Sequence, residues 1–314
     1  MLVIDAERVR TLAPMSRLVD CLDAAFRTGC VVPHRQVVAM PGLDEGRLFL
    51  SMPAFSYNGG AIVKVVTVCP ENSLKGLPTI QGAIIVFSDS GKPMALLDGT
   101  TVTHMRTGAA SALASRYLSR PDSTHLVVMG TGALAPFMAE AHCAVRPIGK
   151  VTVWGRRLER AIETVEAIRS RVGRGVEVAV TNSIEKAVRD ADIVSCSTSS
   201  AEPVLSGIWL KPGAFVDLVG SFSPSKREAD DEVMTRSRIF VDTLEGAMSE
   251  AGDILIPMGR GLISRQRVEG EIADLVSGRI KGRVNPDEIT LFKSVGTALE
   301  DLAASRLILE SAAA

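Results

Sequence analysis

The hydrophobic pattern changes period twice between residues 125 and 157. Leu126-Val127-Val128-Met129 is an unbroken apolar run of strand length, as expected of a strand covered on both faces. Phe137, Met138, Ala141 and Ala144 then recur at helical spacing, and Val151-Thr152-Val153-Trp154 is strand-like again. Strand and helix are separated by Gly130-Thr131-Gly132-Ala133-Leu134-Ala135. This is a G-x-G-x-x-[G/A] turn in the strand–turn–helix–strand setting that gives such a turn its meaning. Gly130 permits the tight turn, Gly132 lets backbone N–H groups close on a pyrophosphate, and Ala135 is small where the helix crosses the strand. With the partial positive charge of a helix N-terminus behind it, the stretch reads as a dinucleotide site.

The second strand of an NAD-binding unit usually ends in a carboxylate that accepts a hydrogen bond from the ribose 2′-hydroxyl. Here that strand runs into Gly155-Arg156-Arg157. Two readings stand: a guanidinium that grips a 2′-phosphate, or two solvated arginines opening the next helix. The first favours NADP(H) over NAD(H).

The alternation continues downstream. Ala161, Val165 and Ile168 predict a helix over 158–171, and strands are predicted at 176–180, 192–196, 214–219 and 238–241, the last strand of the series. The strand ending at Cys196 opens into Ser197-Thr198-Ser199-Ser200, a hydroxyl-rich turn at a strand's carboxyl end, where α/β sheets bind ligands. Helices are predicted around 243–250 and 268–276, and 292–310 reads as a long terminal helix. Upstream the rhythm differs. A helix capped by Ser16 and stopped at Gly29 is followed by strand-like stretches at 31–38, 60–69, 80–87 and 93–98, the last two joined as a hairpin. A helix rich in small residues begins near Thr103. The pattern is that of an α/β chain: a Rossmann NAD(P)-binding domain next to an α+β domain.

Three cations stand in or beside apolar stretches. Arg35 lies between two β-branched pairs, either as an edge residue or as a two-oxygen clamp for a carboxylate. Lys64 shares one strand face with Ile62, Val66 and Val68, while the other face is Ala61, Val63, Val65 and Thr67. An unpaired buried ammonium is costly, so Lys64 either reaches water at a sheet edge or meets an anion. Arg106, beside Thr107, falls in the first turns of the small-residue helix. A cation there opposes the helix dipole and needs a compensating partner.

Composition narrows the picture further. With 35 basic and 36 acidic residues, no nucleic-acid or membrane surface is implied. Hydrophobic residues make up 46% and aromatics 4%, which fits an aliphatic α/β core and leaves room for a subunit interface. No apolar run approaches transmembrane length. The five cysteines lack CxxC spacing and no secretory leader is read, so a reducing, cytoplasmic setting is expected. The four histidines show no ligand spacing, and no metal site is expected.

Several stretches together resemble the ornithine cyclodeaminase/mu-crystallin family over nearly the whole chain. They are Pro33-His34-Arg35, Val63-Lys64-Val65-Val66 with Pro70-Glu71-Asn72, Gly76-Leu77-Pro78-Thr79, and Ala95-Leu96-Leu97-Asp98-Gly99 running into Arg106-Thr107-Gly108-Ala109-Ala110-Ser111. Gly130-Thr131-Gly132-Ala133, Lys293-Ser294-Val295-Gly296 and Glu300-Asp301-Leu302 complete the match. The resemblance implies a homodimer whose substrate-binding and dimerisation domain is 1–120 with 291–314, and whose Rossmann domain is 121–290. It also implies that Arg35, Lys64 and Arg106 surround the substrate, with Val295 and Gly296 lining its pocket. Thr79 and Arg106 would lie near the nicotinamide, Ala133 and Leu134 at the pyrophosphate, and Val219, Gly220 and Ser221 along the cofactor.

One departure matters. The family's cyclodeaminases resemble one another in a G-[GA]-D-x-P-G-K pattern, whose acid handles protons during deamination and ring closure. This chain reads Gly220-Ser221-Phe222-Ser223-Pro224-Ser225-Lys226, and Phe222 cannot move a proton. Members without the acid resemble ketimine and pyrroline-2-carboxylate reductases, in agreement with Gly155-Arg156-Arg157. The expectation is therefore an NAD(P)H-dependent reductase of small imino acids, with Lys64 keeping the imine nitrogen protonated and Arg35, helped by Arg106, holding the carboxylate. The alternatives are an ornithine cyclodeaminase, an alanine dehydrogenase, or a non-catalytic NADPH-binding protein.

Overall fold

The computed structural model describes residues 1–40 and 46–314, with Ser73 described by its backbone alone. The chain begins with β1 (Leu2–Ile4), α1 (Ala6–Leu12), α2 (Met15–Thr28), β2 (Gln36–Ala39), β3 (Leu48–Phe55), β4 (Ala61–Val68), β5 (Ile80–Phe87), β6 (Pro93–Asp98) and α3 (Gly99–Leu118). It continues with β7 (His125–Met129), α4 (Ala135–Val145), β8 (Lys150–Trp154), α5 (Leu158–Arg169), β9 (Glu177–Val180), α6 (Ile184–Asp190), β10 (Ile193–Cys196) and β11 (Phe215–Leu218). The last elements are α7 (Asp231–Arg236), β12 (Ser237–Val241), α8 (Leu244–Glu250), α9 (Gly252–Gly259), β13 (Val268–Glu271), α10 (Ile272–Val276), β14 (Ile289–Lys293) and α11 (Ala298–Ala313). They form two units, Met1–Arg106 with Thr297–Ala314, and Thr107–Gly296.

The first unit is built on a six-stranded sheet of order β1-β6-β5-β4-β3-β2, antiparallel except where β1 joins β6. Strand alternation sorts its residues. Leu50, Met52, Ala54, Ile62, Val66, Ile84, Val86, Ala95 and Leu97 are buried on the side that carries α11, which packs on β3 and β4. The opposite side carries Val3, Val38, Phe49, Phe55 and Met94, all exposed. Helix α2 packs on α11 through a stripe that includes Leu18, Val19, Leu22 and Phe26. Its start is set by Pro14 rather than by a Ser16 cap, and Gly29, at φ 73°, ends it. Helix α3 begins at Gly99, four residues before Thr103, because the Asp98 carboxylate accepts from Thr101 N at 2.7 Å and caps the first turn.

The second unit is an eight-stranded parallel sheet of order β13-β12-β14-β11-β10-β7-β8-β9. β7, β10, β11 and β14 are buried at every residue, as expected of parallel strands covered on both faces. The carboxyl-terminal carbonyls of α3 are taken up by side chains: Arg146 donates to Ser115 O at 2.6 Å, and Arg283 donates to Leu118 O at 2.8 Å.

Two sequence expectations change here. Residues 268–271 are strand β13, not helix, and residues 289–293 are strand β14, not the start of the terminal helix. Ile289-Thr290-Leu291-Phe292-Lys293 is short, with three apolar residues, a pattern that periodicity alone does not separate from a buried helical turn. It inserts between β11 and β12, so β12 is not the last strand. The two compact units divide within α3, at 106/107, and again just after β14, at 296/297. No helix among the described residues is long and apolar enough to cross a membrane.

Candidate functional site

The glycine turn after β7 is shaped by two different constraints. Gly130 has φ 125°, and a Cβ there would sit 2.6 Å from Ser197 O, so both backbone conformation and packing require glycine. A Cβ on Gly132 would meet nothing within 4 Å, so no protein atom explains that glycine. Gly155, after β8, has no room for a Cβ because the Thr131 methyl lies against it. Ala133 is exposed and Leu134 half-buried, and α4 follows without a side-chain cap on its first turn. Ser197 Oγ is buried without a hydrogen-bond partner. An open backbone approach, an uncapped helix start and an orphaned hydroxyl all fit a dinucleotide pyrophosphate. Arg156 and Arg157 are exposed on the loop before α5, with no carboxylate partner among the described residues.

Four further strand ends of this unit, those of β10, β11, β12 and β14, are held by buried carboxylates. The Glu228 carboxylate accepts from Thr198 N at 2.6 Å and from Gly220 N at 2.7 Å. Asp242, at the end of β12, accepts from Val295 N at 2.8 Å and Gly296 N at 2.5 Å. Lys293 Nζ lies 3.0 Å from Asp253 Oδ2, with both side chains fully buried. Val219 and Ser221 are buried beside Gly220, and Ser221 Oγ donates to Lys226 O at 2.7 Å. Phe222 is 42% exposed. Thr107 is buried on α3.

The first unit holds a compact charged cluster under its sheet. Lys64 is buried on the α11 side of β4, with Nζ 2.6 Å from Asp301 Oδ2. Arg106 Nη1 lies 2.6 Å from Glu300 Oε2, and its Nε is 3.3 Å from Asp301 Oδ1. Both carboxylates are fully buried. Burial pushes the Lys64 ammonium down to about 8, Asp301 pulls it back up, and Arg106 works against Asp301. The structure thus pairs Lys64 with an anion, the second of the two outcomes open to it, and gives Arg106 carboxylate partners.

The other predicted residues of this unit stand further off. Arg35 is half-buried just before β2, one residue from the Gln36–Ser51 pair, while Lys64 pairs with Met52 on the same β3. Two strand spacings, roughly 10 Å, therefore separate their backbones. Thr79 precedes β5 by one residue, five before Ile84, the partner of Lys64. That is roughly 16 Å along the strand, so the structure does not bring Thr79 to Lys64.

Sequence reasoning gave no role to Asp301, Glu300, Glu228, Asp253 or Asp242. For the first two a signal existed. They are the acids of Thr297-Ala298-Leu299-Glu300-Asp301-Leu302-Ala303-Ala304, a helix start that is otherwise apolar and, in the structure, buried. Acids in a first turn ordinarily complement the helix dipole in solvent. Here the apolar neighbours on every side demanded cations instead. No group of three or more His, Cys, Asp or Glu suited to a metal ion occurs among the described residues.

The sequence model of the ornithine cyclodeaminase/mu-crystallin family matches residues 1–314. The Delta(1)-pyrroline-2-carboxylate reductase of Colwellia psychrerythraea is 37% identical over 318 residues, covering 100% of both chains. The Thermococcus litoralis Delta(1)-pyrroline-2-carboxylate reductase, solved in complex with NADH and L-proline, is similar at TM-score 0.94 and 35% identity, covering 100% of this chain and 98% of that one. An archaeal alanine dehydrogenase dimer with bound NAD is similar at TM-score 0.91 and 31% identity, covering 100% of this chain and 96% of the other.

Proposed function

The chain belongs to the ornithine cyclodeaminase/mu-crystallin family, and from that premise we propose that it is an NADP(H)-linked reductase of small imino acids of the Δ1-pyrroline-2-carboxylate kind. It is an NAD(P)-dependent oxidoreductase acting on C=N bonds. The observation that carries the reading is the Lys64–Asp301–Arg106 cluster: a buried lysine, lowered to about 8, whose proton is exchangeable near neutral pH. An imine accepts hydride well only when its nitrogen is protonated, and Lys64 keeps it so, passing its ammonium proton to that nitrogen and becoming a neutral amine, or positioning the water that does so. Nicotinamide, when bound, provides the hydride. Within the cluster two cations face two carboxylates, so a substrate carboxylate adds a negative charge that Arg35, with Arg106, takes up. Val295 and Gly296 bound the substrate pocket, and Thr79, Arg106 and Thr107 belong to the nicotinamide side.

The pyrophosphate is held by the backbone from Gly130 to Leu134, with Ser197, Thr198, Val219, Gly220 and Ser221 along the cofactor. Gly155, Arg156 and Arg157 favour the 2′-phosphate of NADP(H), since no carboxylate stands there to repel it. Phe222, in place of an acid, disfavours ring-closing deamination. A second copy of the chain covers the sheet side that exposes Val3, Val38, Phe49, Phe55 and Met94, because apolar patches of this kind mark interfaces. The five free cysteines fit a reducing, cytoplasmic setting.

The test is the absorbance loss of NADPH, beside NADH, with Δ1-pyrroline-2-carboxylate, run in parallel with NAD and ornithine. Rapid NADPH oxidation is expected, with the preference over NADH falling roughly tenfold or more in Arg156→Ala. Ammonia and proline from ornithine would show that Phe222 is no bar to deamination. Cofactor binding without turnover in either assay would favour a binding protein. Light scattering should give twice the chain mass; a monomer would remove the homodimer.

A further inference from the structure

Glu228 takes no part in that chemistry, yet it is fully buried among the cofactor-side loops of the second unit. Oε1 accepts from Thr198 N at 2.6 Å and from Thr198 Oγ1 at 3.0 Å, and Oε2 accepts from Gly220 N at 2.7 Å. One side chain thereby ties the loop after β10 to the loop after β11. The fit leaves no slack, since a Cβ on Gly220 would lie 2.6 Å from Glu228 Oε1 and collide with the Thr198 backbone.

Glu228 is itself clamped. Its N–H and that of Ala229 donate to Asp253 Oδ1 at 2.7 and 3.1 Å, and its carbonyl accepts from the N–H groups of Val204 and Leu205 at 2.8 and 3.0 Å. The other Asp253 oxygen faces Lys293. A carboxylate fixed at its backbone and aimed at two loops sets the distance between them.

We propose that Glu228 is a positioning residue: its carboxylate holds loops 197–198 and 219–221 at the spacing the dinucleotide requires, and losing its charge lets them separate. Glu228 has this role only if those loops bind the cofactor, as proposed above. Lys293 faces it from β14, Asp253 from α9 and Cys196 from β10, while Asp242 at the end of β12 acts on Lys293. Burial pushes the Glu228 carboxyl up to about 7, against the pull of Lys293, and Asp253 adds to the push. Above that pH the carboxylate accepts all three hydrogen bonds. Below it a proton occupies one oxygen, and the tie between the loops weakens.

The experiment is a fluorescence titration of the full chain with NADH, which has no 2′-phosphate to titrate, from about pH 6 to about pH 8.5. The expected result is a wild-type Kd about tenfold weaker at the acid end. Glu228→Gln should bind about tenfold more weakly than wild type at the alkaline end and show no pH slope. A flat wild-type profile overturns the proposal, whether or not the variant folds. A Glu228→Gln profile parallel to wild type also overturns it. Failure of the wild type to bind NADH or NADPH at any pH would overturn the cofactor reading itself, a distinct outcome.

Discussion

Among the described residues two lysines are buried beyond the reach of water, one in each unit, and their surroundings shift the two ammonium groups in opposite directions. Around Lys64 burial wins and the ammonium falls to about 8, because Asp301 supports it while Arg106 opposes it. Around Lys293 burial also pulls downward, but Asp253, Glu228 and Asp242 together outweigh it and hold the ammonium above its ordinary value. The difference lies in what each carboxylate is shared with. Arg106 draws on both Glu300 and Asp301, so Lys64 is under-compensated. In the second cluster Lys293 stands against three carboxylates, and the group whose proton moves near neutrality is Glu228. One arrangement suits proton delivery and the other suits holding loops in place.

The largest expected effect separates the two lysines by function. Lys64→Met should lower turnover by about two to four orders of magnitude while the chain stays folded, because a positioned proton donor contributes about that much. Lys293→Met should act on stability instead. It leaves Glu228 and Asp253 buried without their cation, a loss of about 3–5 kcal/mol, or roughly 10 °C in Tm at about 2–4 °C per kcal/mol. Turnover and thermal melts on both variants check this. Equal losses of turnover in the two would end the distinction.

Asp301→Asn sharpens the first cluster alone. Asp301 raises Lys64, so its removal should lower the lysine further below about 8. The active form carries the proton, so imine reduction is present at lower pH and lost as pH rises through the Lys64 value. The alkaline limb of kcat/KM, near 8 in the wild type, should therefore move to lower pH in the variant. A limb that stays in place would mean that another group donates.

These clusters also show what the chain discloses before folding. The glycine turn was legible because Gly130 is fixed by its own backbone conformation, a constraint carried by one residue. Lys64 was legible because a lone cation in a strand with two apolar faces has to reach water or find an anion. Its anion was not, because Asp301 lies 237 positions away in a helix start where acids are commonplace. Glu228 follows Lys226 and Arg227, and such a charged run reads as a solvated loop. Only tertiary contact with Thr198 and Gly220 reveals its burial. Strand β14 was missed for a related reason: five residues, with only Ile289, Leu291 and Phe292 apolar, are too few to show a period of their own.

The smallest effect is also the cleanest separation of the two clusters, since their linkage to folding has opposite sign in different pH windows. Lys64 has an ordinary value of 10.5 and a folded value of about 8. Between them the unfolded chain keeps a proton that the folded chain has released, so this residue makes stability rise with pH. Glu228 has an ordinary value of 4.5 and a folded value of about 7. Between those the folded chain keeps the proton, so this residue makes stability fall as pH rises. Each slope is at most about 1.4 kcal/mol per pH unit. Denaturant midpoints across pH, taken as wild type minus variant, isolate each term from the remaining titrating groups. Lys64→Met should remove a rise confined to the alkaline window, and Glu228→Gln should remove a decline confined to the acid one. If either difference appears in the other's window, the proton assigned to that cluster belongs to another group.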